Sequence, residues 1–187
     1  MRQIVLASQS PRRRELLARI LPDFHVVPTQ ADETLPEGLH ARDCVRVLAQ
    51  RKAEACPVSG ALVIGADTVV VCDREILGKP KTEEQARAML ARLSGRSHMV
   101  YTGIAVADGA QALTDWEGTQ VFFDELDEET IRRYVETGEP MDKAGAYGIQ
   151  GLGALLVREI RGDYTNVVGL PLFKLSKLLR RCGVTIL

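Results

Sequence analysis

Ala61-Leu62-Val63-Ile64-Gly65-Ala66-Asp67-Thr68-Val69-Val70-Val71 is the most strongly strand-forming run in the chain. β-Branched residues dominate it, and no charge interrupts it before Asp67. A continuous apolar strand, as opposed to an alternating one, belongs at the centre of a sheet covered on both faces. Reading outward, strand and helix signals alternate. Ile4–Leu6 reads as a short strand, followed by a tight turn and a helix capped by Ser10 with Pro11 at its first position. Phe24–Pro28 reads as a strand, and a helix from about Ala41 to Ala55 places Cys44, Val47, Leu48 and Ala55 on one face. Thr82-Glu83-Glu84-Gln85 is a capping box whose helix ends near Ser94-Gly95. Strands near Met99–Ala107 and Thr119–Leu126, joined through Asp108-Gly109, precede a helix opened by Asp127. A glycine-rich loop at Lys143–Gly153, a strand at Ala154–Ile160 and a C-terminal helix opened by Pro171 complete the chain. The order predicts an α/β protein on one main sheet, mixed in direction and flanked by helices.

Composition narrows the function. A chain of 187 residues, 45% hydrophobic, buries one sizeable core, so residues 1–187 are read as a single domain. A formal net charge of −1 and only four Phe, four Tyr and one Trp argue against a nucleic-acid-binding surface. The apolar run around Ala61–Cys72 is too short and too interrupted to span a bilayer, and no signal sequence is legible, so the expectation is a cytoplasmic protein. Cys44, Cys56, Cys72 and Cys182 match no zinc pattern and are expected as buried free thiols. His25, His40 and His98 are too scattered for a histidine metal site or triad.

One helix start breaks the chain's own rule. The Thr82 and Asp127 helices open with acids, whereas Arg12-Arg13-Arg14 fall in the first turn of the Ser10 helix. Cations there oppose the helix dipole, at a cost of about 0.3–1 kcal/mol each when exposed. A docked anion reverses the sign, because helix N-termini and arginine forks both bind phosphate. Successive residues point about 100° apart, so the three arginines cannot all face one ligand. A solvated basic face is the alternative.

Asp67 is the second anomaly, since an unpaired carboxylate in an apolar strand is very costly. It calls for a metal, a cation or a dense set of backbone hydrogen bonds. Lys52, on the helix feeding the strand, and Lys79, in Gly78-Lys79-Pro80 just after it, are the candidate cations, although either alone reads as a surface lysine. Asp32-Glu33 lies in a loop after a strand; with Asp67 it can supply the oxygen ligands that Mg²⁺ prefers beside a polyphosphate. The loop from Lys143 to Gly153 is neither a Rossmann fingerprint nor a Walker loop, but it holds Gln150, whose amide can read a base edge. A merely flexible loop is the rival reading.

Taken in order, Ser8-x-Ser10-Pro11-Arg12-Arg13, Asp32-Glu33, Lys52-Ala53, Gly65-Ala66-Asp67-Thr68-Val69-Val70, Gly78-Lys79-Pro80, Asp142-Lys143-Ala144-Gly145-Ala146-Tyr147-Gly148-Ile149-Gln150-Gly151 and Val168-Gly169-Leu170-Pro171 resemble the Maf family of nucleoside triphosphate pyrophosphatases end to end. The resemblance implies a single bilobed domain with a bent mixed sheet, similar to the inosine triphosphate pyrophosphatases, and a cleft between the lobes. It implies hydrolysis of a nucleoside triphosphate to the monophosphate and pyrophosphate with Mg²⁺ or Mn²⁺, in a homodimer with no nucleic-acid or membrane partner. Carried onto this chain, Asp67 is the proton acceptor; the reaction expected on that basis has Lys52 and Lys79 stabilising charge and Glu33 and Asp67 holding the metal. Ser8, Ser10, Arg12, Arg13, Thr68, Lys143 and Gln150 are expected to bind and select the substrate. Arg12, Thr68 and Gln150 resemble the dTTP/UTP-hydrolysing branch and not the 7-methyl-GTP branch. The alternative from another class is a nucleotide-sensing regulator of division that does not hydrolyse its ligand.

Overall fold

A computed structural model describes residues 2–34, 38–109 and 111–187. Its strands are β1 (Ile4–Leu6), β2 (His25–Val26), β3 (Leu62–Cys72), β4 (Glu75–Leu77), β5 (Ser97–Asp108), β6 (Gln111–Phe123) and β7 (Val157–Arg161). Its helices are α1 (Pro11–Ala18), α2 (Ala41–Glu54), α3 (Glu83–Leu93), α4 (Glu128–Glu136), α5 (Tyr164–Val168) and α6 (Leu172–Arg181). The strands form one mixed sheet in the order β2-β1-β3-β5-β6-β7, with β4 on β3. β1 pairs parallel with both β2 and β3, whereas β3–β4 and β6–β7 are antiparallel. The mixed α/β class read from the sequence is the class observed. Among the described residues no helix is long and apolar enough to cross a membrane.

The chain divides into two compact units, with boundaries inside β3, β5 and β6. Unit 1 comprises Met1–Thr68, Thr102–Glu117 and Gly169–Leu187. Within it β3 is buried without interruption from Leu62 to Ala66, and β5 from Thr102 to Ala107, as expected of strands covered on both faces. One cover is α2, which runs close over Gly65. A Cβ on that glycine would lie 2.2 Å from the Ala49 carbonyl oxygen and 2.8 Å from the Ala53 nitrogen, so any larger residue pushes the helix away. The buried stripe of α2 is therefore small in part: Val45, Ala49 and Ala53 join Cys44 and Leu48. The expected face is corrected at two places. Val47 is only half-buried, and Ala55 is the exposed C-cap. Close approach to β3 selects alanine, which a search for bulk misses.

Unit 2 comprises Val69–Tyr101 and Gly118–Val168. Here β5 alternates between buried and half-exposed residues, the pattern of a sheet with one covered face. Its core joins Leu90 and Leu93 of α3, Ile131, Tyr134 and Val135 of α4, and an aromatic group of His98, Phe123 and Tyr147. The Phe123 and Tyr147 rings meet edge to face at 4.7 Å between centroids. Burial pushes the His98 imidazole from its ordinary 6.5 to about 4, so it is neutral at pH 7, sharing a 2.7 Å hydrogen bond between Nε2 and the Tyr147 hydroxyl.

Several element boundaries differ from the sequence reading. Ala154–Leu156 belongs to a 3₁₀ turn, Leu152–Leu156, and the strand begins only at Val157. A second 3₁₀ turn, Ala144–Ala146, lies inside the glycine-rich loop. The strand expected over Phe24–Pro28 shrinks to His25–Val26, and β4 and α5 are additional. β6 is longer than expected because its polar stretch Asp115-Trp116-Glu117 is covered by Lys174 of α6. The Lys174 ammonium donates to the Trp116 carbonyl, lies 5.4 Å from its ring centroid, and stands 3.7 and 3.5 Å from the Asp115 and Glu117 carboxylates.

Candidate active site

Unit 1 builds the Ser8–Arg13 turn from local chemistry. Ser10 caps α1 with its hydroxyl, which accepts from the Arg13 amide at 3.4 Å, and the Ser8 hydroxyl accepts from the Ser10 amide at 3.2 Å. Two of the amides expected to cradle an anion are thus already bonded. What the turn offers instead is the two serine hydroxyls, each of which keeps its own proton to donate.

The three arginines separate as their 100° spacing requires. Arg14 is exposed, Arg12 is half-buried, and Arg13 turns inward. Arg13 Nε donates to the Gly169 carbonyl at 2.8 Å and Nη2 to Thr68 Oγ1 at 3.0 Å, while Nη1 stands 3.5 Å from Ser8 Oγ. Every one of these partners is neutral. Burial pushes the guanidinium below its ordinary value; Asp67 works against that shift and Arg12 adds to it. Thr68, on β3, is in turn 2.9 Å from Thr102 on β5, hydroxyl to hydroxyl. Thr68 therefore reaches the guanidinium side, and its neighbour Asp67 reaches the opposite face, as strand alternation demands.

That opposite face is the one Gly65 opens to α2. Lys52, one residue before Ala53, brings its ammonium 2.6 Å from Asp67 Oδ1 and 2.9 Å from Glu33 Oε1. The lysine and aspartate side chains are only 18% and 13% exposed, whereas Glu33 is 66% exposed. The cation demanded by a carboxylate in an apolar strand is therefore Lys52. Glu33 is aimed by its loop. Asp32 Oδ1 accepts from the Thr34 amide at 2.9 Å, which holds the Asp32 carboxyl below its ordinary value, and Arg51 Nη1 reaches the Asp32 and Thr34 carbonyls at 3.1 and 2.5 Å. Asp32 thus shapes the loop and Glu33 faces the lysine.

Lys79, Lys143 and Gln150 lie in unit 2. Lys79 follows β4, is exposed and makes no hydrogen bond or ion pair among the described residues. Lys143 is turned into its own loop, with Nζ 2.6 Å from Asp142 Oδ1 and 2.5 Å from the Glu139 carbonyl. Gln150 is exposed, and its side chain has no hydrogen-bond partner among the described residues. Sequence reasoning passed over three residues that hold these segments in place: Thr102 beside Thr68 in unit 1, and Tyr134 and Glu139 at the Gly148–Gly153 loop in unit 2. Their partners are distant in sequence or backbone groups, so no motif announces them.

A family model described as Maf-like protein matches residues 3–182. Curated relatives named dTTP/UTP pyrophosphatase align over essentially the whole chain. That of Pelotomaculum thermopropionicum is 51% identical over 191 residues, covering all of both chains. Those of Symbiobacterium thermophilum and a Geobacillus species are 51% and 50% identical, covering 100% and 98% of this chain and 97% and 100% of theirs. Among solved structures, the Staphylococcus aureus Ham1 protein matches 65% of this chain and 72% of its own, at 18% identity and a TM-score of 0.47. With a match that spans nearly every residue, and with Ser8, Arg13, Lys52 and Asp67 found in mutual contact groups, the chain belongs to the Maf-like protein family.

Proposed function

We infer that this chain hydrolyses dTTP and UTP to the nucleoside monophosphate and pyrophosphate. The observation that carries the substrate assignment is about 50% identity, over full length, to relatives named dTTP/UTP pyrophosphatase. The reaction is attack of water on the α-phosphorus, with cleavage of the bond to the bridging oxygen and departure of pyrophosphate. Asp67 accepts the proton of the attacking water. Lys52, already bonded to Asp67, orients that carboxylate and offsets charge that develops nearby. The Ser8 and Ser10 hydroxyls and the Arg12 and Arg13 cations favour phosphate at the turn. Gln150 presents a donor and an acceptor to the carbonyl–N–H–carbonyl edge of a pyrimidine.

The residues present suit a divalent cation. Among the described residues no group of three or more His, Cys, Asp or Glu side chains encloses a metal. Glu33 and Asp67 offer instead a set of two carboxylates bridged by the Lys52 ammonium, and an ion between them would take over the charge compensation that Lys52 supplies there. That set fits Mg²⁺ or Mn²⁺ which takes its remaining ligands from phosphates and water. When bound, the ion lowers the pKa of a water and neutralises phosphate charge. All four cysteines are free, which accords with a reducing cytoplasm, but only Cys44 and Cys72 are buried as expected; Cys56 and Cys182 are half-exposed.

The test is a panel of dTTP, UTP, ATP, GTP and 7-methyl-GTP with pure protein and Mg²⁺ or Mn²⁺, with the products identified. Pyrophosphate and UMP from UTP, well ahead of both purines and the methylated purine, are expected. Release of orthophosphate and UDP, or binding without turnover, overturns the assignment.

A further inference from the structure

The glycine-rich loop that carries Gln150 is organised by a single carboxylate. Glu139 lies in the 3₁₀ turn Glu139–Asp142 that follows α4. Its Oε2 accepts from the Leu152 amide at 2.9 Å, and its Oε1 accepts from the Gly153 amide at 3.0 Å and the Tyr134 hydroxyl at 2.9 Å. The Tyr134 oxygen accepts in turn from the Gly148 amide at 3.1 Å. The two side chains thus hold both ends of the segment in which Gln150 sits, while Gln150 itself has no partner among the described residues. The loop is moulded to the carboxylate. A Cβ on Gly151 would lie 2.3 Å from Glu139 Oε2, and one on Gly153 would lie 2.6 Å from the Tyr134 oxygen. Burial raises the Glu139 carboxyl, but the Gly153 amide, the Tyr134 hydroxyl, the Leu152 amide and Lys143 outweigh it and leave the group below its ordinary value.

We propose that Glu139 is the positioning residue for base selection: by binding the Leu152 and Gly153 amides and the Tyr134 hydroxyl, it fixes the loop that presents Gln150. This rests on the reading of Gln150 as the base-reading group. A fixed amide discriminates between bases; a wandering one does not, because each hydrogen bond then costs the ordering of its loop. Glutamate suits the role better than its amide, since all three groups that meet it are donors. Glu139→Gln sets an NH₂ against at least one of them. The effect falls on selectivity and not on phosphate chemistry.

The experiment compares wild type, Glu139→Gln, Gly151→Ala, Gln150→Ala and the Glu139→Gln/Gln150→Ala double variant. The readouts are kcat and KM for UTP and ATP, and hydrogen exchange of the Leu152 and Gly153 amides. Glu139→Gln is expected to lower the UTP-to-ATP ratio of kcat/KM about tenfold, mainly through KM, with kcat for UTP within about threefold. The double variant should be no less selective than Gln150→Ala alone, because the two residues act in series. The Leu152 and Gly153 amides should exchange at least about tenfold faster, while the Ile131 and Val135 amides of α4 keep their protection. Gly151→Ala displaces the same carboxylate sterically and should reproduce the selectivity loss. An unchanged ratio in a folded Glu139→Gln protein, multiplicative losses in the double variant, or collapse of both single loop variants into unfolded protein overturns the proposal. A wild type that does not prefer UTP defeats the substrate assignment and the selectivity role together, and the exchange data then report separately whether Glu139 holds the loop.

Discussion

The Ser8–Arg13 turn and the Gly148–Gly153 loop are each held by one half-buried charge whose hydrogen-bond partners on the segment are neutral, and the two charges have opposite sign. In the turn, the Arg13 cation takes a carbonyl and two hydroxyl oxygens and leaves the surroundings electropositive. In the loop, the Glu139 anion takes two amides and a phenol and ties up donors that an anion would otherwise seek. The difference teaches a division of work. A turn stiffened by a cation stays suited to the phosphate proposed for it, whereas a loop stiffened by an anion is poorly suited to one and is free to display a neutral amide such as Gln150. The Lys52–Asp67 pair belongs with the first region, and so does the chemistry proposed for it.

The largest effect should come from breaking the chemical side of this comparison. Asp67→Asn keeps the shape but removes the charge and the proton acceptor, and kcat for UTP should fall by about 10²–10⁴-fold. Circular dichroism should show an intact fold. Near-wild-type turnover would remove Asp67 from the mechanism, and an unfolded variant would make its pairing with Lys52 structural.

The next effect concerns stability in the second region's core. The folded chain protonates His98 only near pH 4, whereas an unfolded histidine does so near 6.5. Between those values acid favours the unfolded chain, so the stabilisation present above 6.5 is lost as pH falls towards 4, up to about 3 kcal/mol in all. His98→Phe should flatten the pH dependence of urea unfolding in that window. Parallel slopes for the two proteins would contradict the burial argument.

A smaller effect sharpens the contrast among the arginines. Arg13→Ala leaves the Gly169 carbonyl without this donor and strips one of its partners from the Thr68 hydroxyl, at a cost of about 2 kcal/mol, which lowers Tm by roughly 4–8 °C. Exposed Arg14→Ala relieves the helix dipole and should leave Tm unchanged or slightly higher. Equal shifts for both would show that Arg13 does not anchor the turn.

Much of the first region was legible in sequence because its signals are local. Ser10, Pro11 and the arginines announce the turn, and a charge in the run Ala61–Val71 announces a partner for Asp67. Which lysine would supply that partner was not legible, since it depends on how closely α2 rests on Gly65. The second region hides its organisation. Glu139 meets amides 13 and 14 positions further on, and nothing in Gly138-Glu139-Pro140 marks it as their acceptor. The β3–β4 hairpin was missed for a related reason. Its two-residue turn, Asp73-Arg74, has both residues at positive φ (51° and 68°) but lacks the glycine that usually signals such a turn. Arg92 and Arg96 clasp Asp73 instead, at 3.6 and 2.7 Å. Tertiary contacts there override local propensity.

The division of work is tested most directly by kcat and KM for UTP, ATP and 7-methyl-GTP in wild type, Asp67→Asn and Gln150→Ala. The account predicts that Asp67→Asn lowers kcat for every nucleotide by a common factor and leaves the ratios of kcat/KM intact. Gln150→Ala should keep kcat for UTP near wild type and reduce its advantage over ATP by about tenfold. If instead Asp67→Asn reshuffles the substrate ratios, or Gln150→Ala lowers kcat uniformly, chemistry and selection are not divided between the two regions.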